Sequence, residues 1–346
     1  MNSFGRILKL QIFGESHGES VGLIIDGCPA GLLLSQEDFL QDIERRKGGQ
    51  QKGTTPRKED DLPLFKSGVF NNKTTGAPIT ILFENKNTRS GDYEKQRAVP
   101  RPGHADFVAN RKFGGYEDFR GGGHFSGRLT VCLVAAGVIA KKLINGSAFA
   151  LTTKEESLVK SAINVYASIL EIGGEADLDK GLQKAIDAKD SIGGIVECRV
   201  TGLPIGLGEP FFDSVESVIS HAVFAIPAVR GIEFGTGFPA AKMFGSDHND
   251  SIETRNGKTN TNHAGGIVGG ITNGNELVFR IAIKPTSSTP KEQQTLNWES
   301  GEIEPFSVKG RHDLCIALRV PVVLEAVTAF VVADLLLLEH HIKRIM

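Results

Sequence analysis

"LTVCLVAAGVIA" at 129–140 and "VLEAVTAFVVADLLLL" at 323–338 decide how this chain is built. Each run is apolar enough to be mistaken for a membrane segment. The first meets Lys141 and Lys142 well before the roughly 20 residues that a span requires. The second is interrupted by Glu325 and Asp334, charges that a lipid-facing helix would expose at high cost. Both read as helices apolar on all sides, which belong inside a protein core, the first closing near Gly146. No membrane anchor is implied.

Strand-like runs lie along the rest of the chain. LKLQIF (8–13), VGLIID (21–26), PITILF (78–83), GIVECRV (194–200) and ELVFRIAI (276–283) read as strands, set off by Gly-rich turns. Ser35 and Asp38 resemble a helix start, followed by Phe39, Leu40 and Ile43 on one face and closed by Arg45, Arg46 and Lys47. Further helical patterns are expected at 155–171, 177–189 and 214–225. Strands and helices are mixed without strict alternation, so the expected class is α+β. One domain over residues 1–346 is expected. An internal echo links 67–90 with 265–288, each a Gly-rich turn, an alternating strand and a polar tail ending in Ser, as a duplication would leave.

Composition is that of an ordinary globular protein, 40% hydrophobic and 23% charged over 346 residues. A net charge of −2 gives no electrostatic case for nucleic acid or a membrane surface. The charge is uneven: residues 1–130 carry 19 Lys and Arg against 16 Asp and Glu, and the remainder 20 against 25. Cys28, Cys132, Cys198 and Cys315 are scattered, with neither CxxC nor metal-ligand spacing, so no metal site and no disulfide framework is expected. The N-terminus lacks the apolar region of a signal peptide, and a reduced, cytoplasmic protein is expected. GTGFPA (235–240) imitates a dinucleotide fingerprint, but Pro239 and the polar stretch after it supply no crossover helix. GKT (257–259) imitates the end of a phosphate-binding loop, with Ile252 where a glycine is required.

Four polar constellations remain. FGESHG (13–18) sets an acid, a hydroxyl and an imidazole between glycines at the end of a strand. Residues 97–128, RAVPRPGHADFVANRKFGGYEDFRGGGHFSGR, concentrate glycines with Arg97, Arg101, Arg120 and Arg128. Glycines let backbone N–H groups approach an anion, and guanidinium groups bind phosphate or carboxylate in bidentate fashion. This stretch runs into the helix at 129–140, whose N-terminus adds partial positive charge there. KPTSS (284–288) and KGRHDLC (309–315) end two further apolar segments. Arg45 and Arg46 have a plainer role available, closing a helix at its negative pole, and Arg120 can pair with Asp118 or Asp106.

FGESHG, RPGHAD, RGGGHFSGR, HAGGIVGGI, KPTSS and GRHDLC, in this order, closely resemble the chorismate synthase family over essentially the whole chain. The resemblance implies a βαβ sandwich, two antiparallel-rich sheets around a helical layer, and a homotetramer. It implies a carbon–oxygen lyase of the shikimate pathway. Such an enzyme eliminates phosphate 1,4-anti from 5-enolpyruvylshikimate 3-phosphate to give chorismate, with reduced FMN as transient electron donor. By the same resemblance His17 stands near the leaving phosphate, His104 near the reduced flavin, and Asp313 in a proton relay. Arg46, Arg101 and Arg128, with Arg45 ranked below them, would clamp substrate anions.

The resemblance assigns flavin contacts to His124, Phe125, Ser126, Pro227, Ala228, Gly269, Lys284, Pro285, Thr286, Ser287, Ser288 and Arg311. Arg46 and Lys52 fall at positions tied to NADPH in some members. This chain shows no additional dinucleotide fold, so an external flavin reductase is the expected source of reduced FMN rather than direct use of NADPH. The chain departs from the family pattern at His124 and Phe125, where Arg-Ser is common, at Leu314 for Pro, at Pro227 for Asn, and at Lys52 for Arg. Those departures touch the flavin contacts. Two other readings use the same residues: a flavin or phosphosugar binding protein, which would not need His17, His104 and Asp313 together, and a phosphate lyase without flavin.

Overall fold

The computed structural model describes residues 2–49, 52–55, 59–87, 97–145, 162–308 and 312–341. The chain begins with β1 (Ser3–Phe4), β2 (Lys9–Gly14), β3 (Ser20–Asp26) and α1 (Glu37–Arg46). Next come β4 (Leu64–Ser67), the short pair β5 (Val69–Phe70) and β6 (Lys73–Thr74), and β7 (Ile79–Glu84). α2 (Asp106–Phe113) and α3 (Thr130–Asn145) follow, then β8 (Asn164–Ile172), α4 (Leu178–Ala188) and β9 (Gly194–Thr201). After α5 (Val215–Val223), β10 (Val229–Phe234) and α6 (Gly245–His248) come the pair β11 (Ile267–Val268) and β12 (Ile271–Thr272), and β13 (Leu277–Ile283). The pair β14 (Gln293–Leu296) and β15 (Ile303–Phe306) precedes α7 (Val320–His341).

Two antiparallel sheets form, with strand orders β1-β2-β3-β7-β4 and β10-β13-β9-β8. Alternation explains which face of each is buried. Val21, Leu23 and Ile25 of β3 stand beside Ile79, Ile81 and Phe83 of β7, all wholly enclosed. Val196, Cys198 and Val200 of β9 do the same beside Leu277, Phe279 and Ile281 of β13. α3 lies on β3 and against α1 and α7, while α7 lies on β8 and β9 and against α5. The helices thus form the middle layer of an α+β sandwich. α7 is long and apolar enough to cross a membrane, and it is enclosed between the other elements.

The two acids that interrupt α7 have structural partners. Asp334 accepts the backbone N–H groups of Arg6, Ile7 and Leu8, each at 2.8 Å, and so fixes the approach to β2. Glu325 accepts two hydrogen bonds from Arg45 at 2.7 Å, one from Lys141 at 3.0 Å and one from the Ala167 N–H at 3.2 Å. Burial alone would raise the Glu325 carboxyl, but Arg45 and Lys141 outweigh it and hold the group below its ordinary range. α1, α3 and β8 are therefore tied to α7 through one carboxylate.

The helix expected at 155–171 is corrected: residues 164–172 are strand β8, paired with β9, and 155–161 lie outside the described residues, as does Gly146. Its β-branched residues Val165, Ile169 and Ile172 suit a pleated edge strand, and pairing with β9 overrides the helical spacing. The helices expected at 177–189 and 214–225 are α4 and α5. The echoing segments share a local form. Each is a two-residue hairpin turning on positive-φ residues, Asn71–Asn72 and Gly269–Gly270, followed by an interior strand, β7 or β13.

α3 and α7 cross at Gly137, where an added Cβ would lie 2.2 Å from Ala326 Cβ and 2.3 Å from its Cα. Gly137→Ala is expected to lower stability by about 1–3 kcal/mol through overpacking. Gly245→Ala, where nothing lies within 4 Å, should change it little. Denaturant unfolding of both variants measures the difference.

Candidate active site

The turn between β2 and β3, the end of α1, the glycine run before α3, the segment after β13 and the approach to α7 converge on a cavity of about 410 Å³. Its walls are unusually cationic. Arg46, Arg101 and Arg128 line it and are almost fully buried, at 3%, 6% and 6% exposure. Lys47, Arg230, Lys284 and Arg319 line it as well. Of these, Lys47 is expected from sequence only to close a helix, and Arg230 and Arg319 carry no sequence signal of their own. Arg319 lies six residues beyond Asp313 of GRHDLC, a proximity that could have suggested it.

Buried arginines need fixed partners. Asp61, with no side-chain exposure, stands between two of them: Arg46 Nη2 donates to Oδ2 at 2.7 Å, and Arg128 Nη1 donates to Oδ1. Arg46 Nη1 also donates to Thr130 Oγ1 at 3.2 Å, on the first turn of α3. Burial, opposed by Asp61 and reinforced by Arg319 and Arg128, pulls the Arg46 guanidinium down to about 10. One carboxylate does not satisfy so many crowded cations, and an entering anion would relieve them.

Arg101 is held by Asp106, to which its Nε and Nη2 both donate at 2.7 Å. Its Nη1 donates to Ser288 Oγ at 3.3 Å. His104 Nδ1 lies 2.5 Å from Asp106 Oδ1, so the carboxylate accepts a hydrogen bond from Nδ1–H and leaves Nε2 as the imidazole's other working edge. Burial would raise the Asp106 carboxyl, but hydrogen bonds from Arg101 and His104 prevail and hold it well below the usual range. Of the two acids that the sequence offers Arg120, Asp118 and Asp106, the structure pairs it with Asp118 at 2.8 Å.

The glycine run presses on both histidines. Gly121, at φ +60°, would place a Cβ 2.2 Å from His17 Cε1, and Gly122, at φ +84°, a Cβ 3.0 Å from His104 Cε1. Only glycine gives both the backbone angle and the space. Gly123 O accepts the Ser16 N–H at 3.1 Å and locks the two turns together. Asn85, at the end of β7, donates to Glu15 O at 3.0 Å and Gly18 O at 2.9 Å, closing the FGESHG turn from outside. Ser126 Oγ accepts the Arg128 N–H at 3.3 Å just before α3, whose N-terminus points to this wall.

Asp313 is fixed at the cavity wall by Arg319 Nη1 at 3.0 Å and the Thr55 N–H at 2.9 Å. Its neighbour His312 lines the same wall, and burial, then Arg101, lower its pKa against the pull of Asp313. On the opposite side Lys284 Nζ donates to Gly103 O at 3.1 Å and Ser287 Oγ at 2.8 Å. Ser16 Oγ, Arg46 Nε and Thr286 Oγ1 are buried polar atoms without a hydrogen-bond partner among the described residues, and all three residues line the cavity. Unmet hydroxyl and guanidinium donors beside an ammonium group are the donor set that a phosphorylated, anionic ligand requires.

The structure thus brings together His17, His104, Asp313, Arg46, Arg101, Arg128, Phe125, Ser126, Pro227, Ala228 and residues 284–288. Arg45 does not line the cavity: it faces Asp42 and Glu325. Lys52 donates to Gln183 on α4 at 3.2 Å. Gly269 lies in the turn between β11 and β12 and does not reach the cavity. His124 donates from Nδ1 to Gly14 O at 2.8 Å and lines a neighbouring, more apolar cavity of about 380 Å³, which shares Phe125, Ser126 and Pro227 with the first. Arg311 lies outside the described residues.

Fold and site together set buried cations, imidazoles and carboxylates around one cavity, an arrangement able to hold a small polyanion. A family model described as Chorismate synthase matches residues 8–337. A chorismate synthase of Chitinophaga pinensis is 68% identical over 345 residues, covering 100% of this chain and 99% of its own. One of Methanocaldococcus jannaschii is 40% identical, covering 97% and 96%. A crystal structure of a chorismate synthase superposes with a TM-score of 0.72 at 26% identity, over 97% of this chain and 93% of that one. The chain belongs to the chorismate synthase family.

Gly121→Ala is expected to leave the protein folded, displace His17 and cut turnover at least about tenfold, since small misplacements at a reacting centre are costly. Side-by-side activity and thermal melts check this. A second expectation concerns pH. Asp106 is more acidic in the folded protein than in the unfolded chain, so its contribution is complete above about pH 4 and lost as pH falls toward its folded value. The stability gap between the protein and Asp106→Asn should therefore narrow below about pH 4, as measured by urea unfolding at several pH values.

Proposed function

We propose that the cavity binds 5-enolpyruvylshikimate 3-phosphate beside reduced FMN and eliminates phosphate to form chorismate, as a lyase of the shikimate pathway. The observation that carries this reading is the buried array of Arg46, Arg101 and Arg128 around a cavity into which the glycine run sets His17 and His104. A substrate with one phosphate and two carboxylates matches several fixed guanidinium groups, each suited to planar bidentate contact. Elimination builds negative charge on the departing phosphate, and preorganised cations stabilise that charge without reorganising.

In this reading His17, beside Gly121, gives a proton or positive charge to the leaving phosphate. His104, oriented by Asp106, holds or releases a proton at Nε2. Asp313, clamped by Arg319 and the Thr55 amide, keeps a carboxylate ready as the proton-accepting end of a relay. Lys284, Thr286 and Ser287 would hold the flavin phosphate, with Ser126, Pro227 and Ala228 walling the ring; the unmet Thr286 hydroxyl supports this fit. When bound, reduced flavin supplies transient electron density to a net redox-neutral reaction.

An external reductase as the source of reduced FMN is supported by the basic patch itself, where Arg46 is engaged with Asp61 and Lys52 reaches Gln183. A homotetramer is supported by exposed Phe211, Phe212, Phe238 and Phe244, each at least 80% accessible in the single chain. Four buried free cysteines agree with a reducing, cytoplasmic location. The paired hairpins before β7 and β13 support one domain with an internal pseudo-duplication.

The test is an anaerobic assay with 5-enolpyruvylshikimate 3-phosphate and chemically reduced FMN, following chorismate absorbance and phosphate release. Product is expected only with reduced flavin, and none with NADPH and oxidised FMN. His17→Ala and His104→Ala should each lose about 100-fold or more in turnover while still binding substrate. Wild-type rates in both variants would sink the catalytic assignment.

A further inference from the structure

Asp61 lines the cavity between two of its arginines and Asn85 supports one of them from outside the lining, and neither is among the groups to which the reaction assigns a role. Asp61 has no side-chain exposure and sits at φ +52°, an angle that a non-glycine residue adopts only where its surroundings hold it. Its two oxygens are divided between two arginines, Arg46 from α1 and Arg128 from the turn before α3. The Arg128 guanidinium is then fixed on its remaining edges, Nε donating to Asn85 Oδ1 at 2.9 Å and Nη2 to Glu84 O at 3.2 Å. The Asn85 amide nitrogen meanwhile donates to Glu15 O and Gly18 O, the two ends of the turn that carries His17. A continuous chain of hydrogen bonds thus runs from Arg46 through Asp61, Arg128 and Asn85 to the His17 turn.

We propose that Asp61 and Asn85 are positioning residues, Asp61 setting the spacing of the Arg46–Arg128 anion clamp and Asn85 fixing the His17 turn to that clamp. This deepens the proposed function and rests on it. Two buried guanidinium groups repel each other, and a carboxylate that accepts from both defines one geometry for the pair. An amide in its place offers one oxygen and an NH2 group, so one arginine would face a donor and turn away. Asn85 is suited to its place because a side-chain amide presents both an acceptor for Arg128 and two donors for the turn carbonyls.

The two residues predict different kinetic signatures. Asp61→Asn loosens the clamp, which acts on substrate anions, so KM for 5-enolpyruvylshikimate 3-phosphate should rise about tenfold or more with a smaller change in kcat. Asn85→Asp keeps the acceptor for Arg128 and removes both donors to the turn, so kcat should fall about tenfold or more with KM nearly unchanged. Acting through His17, Asn85→Asp should cost less than about twofold when made in the His17→Ala protein. A residue that merely holds the fold together would cost the same in both backgrounds.

The experiment measures kcat, KM and thermal melts of the full chain, the three single variants and the His17→Ala/Asn85→Asp pair, with chemically reduced FMN. Calorimetric binding of inorganic phosphate to the protein and to Asp61→Asn gives the clamp a readout independent of turnover, with weaker binding expected in the variant. An inactive wild-type chain would defeat the functional reading, and the phosphate titration would still decide the role of Asp61. Should Asp61→Asn fail to fold, the Asn85 cycle decides by itself. Equal losses from Asn85→Asp in both backgrounds, or unchanged KM together with undiminished phosphate binding in folded Asp61→Asn, would overturn the proposal.

Discussion

Backbone contact between α3 and α7 at Gly137 and Ala326 sets how closely the middle layer is packed, and the rest of the structure is arranged around that contact. A wider crossing would leave unfilled space between two helices that are apolar on every side, and interiors of proteins tolerate little of it. β3 and β7 cover the α3 side and β8 and β9 the α7 side. Once the helices are fixed, so are their ends. The N-terminus of α3 faces the glycine run, and the approach to α7 carries Asp313 and Arg319 to the same cavity.

Two groups of buried charge inside this sandwich differ in how fully they are satisfied. Glu325 gathers Arg45 and Lys141 within the helical layer and ties four elements together. Asp61 and Asp106 gather Arg46, Arg128 and Arg101 at its edge, where the arginines border a cavity. The first group is closed on itself. The second leaves guanidinium and hydroxyl donors unmet beside the cavity, and the proposed function rests on that imbalance. Arg45 and Arg46 stand next to each other in sequence and belong to different groups, because successive residues on a helix point about 100° apart.

The sequence was legible where chemistry and local geometry coincide. Helices apolar all round, alternating strands and glycine runs each carry a pattern that one stretch of chain can reveal, and the glycines at 121 and 122 do lie against His17 and His104. It misled at 164–171, where spacing suggested a helix and pairing with β9 made a strand. It was silent on Asp61 and Asn85. No motif marks an isolated acid in a loop or an amide at a strand end as a partner of residues tens of positions away, since that partnership exists only when β7, α1 and the turn before α3 meet.

The residue types at the site, the six ordered motifs, the α+β class and the apolar helices were determined by the sequence alone, because side-chain chemistry and short-range periodicity are properties of adjacent residues. Tertiary structure decided which cations share the cavity, separating Arg46 from Arg45 and Lys52, and which acids neutralise them. The reason is physical: desolvation and distance govern the strength of charge interactions, and both are set only when distant segments pack.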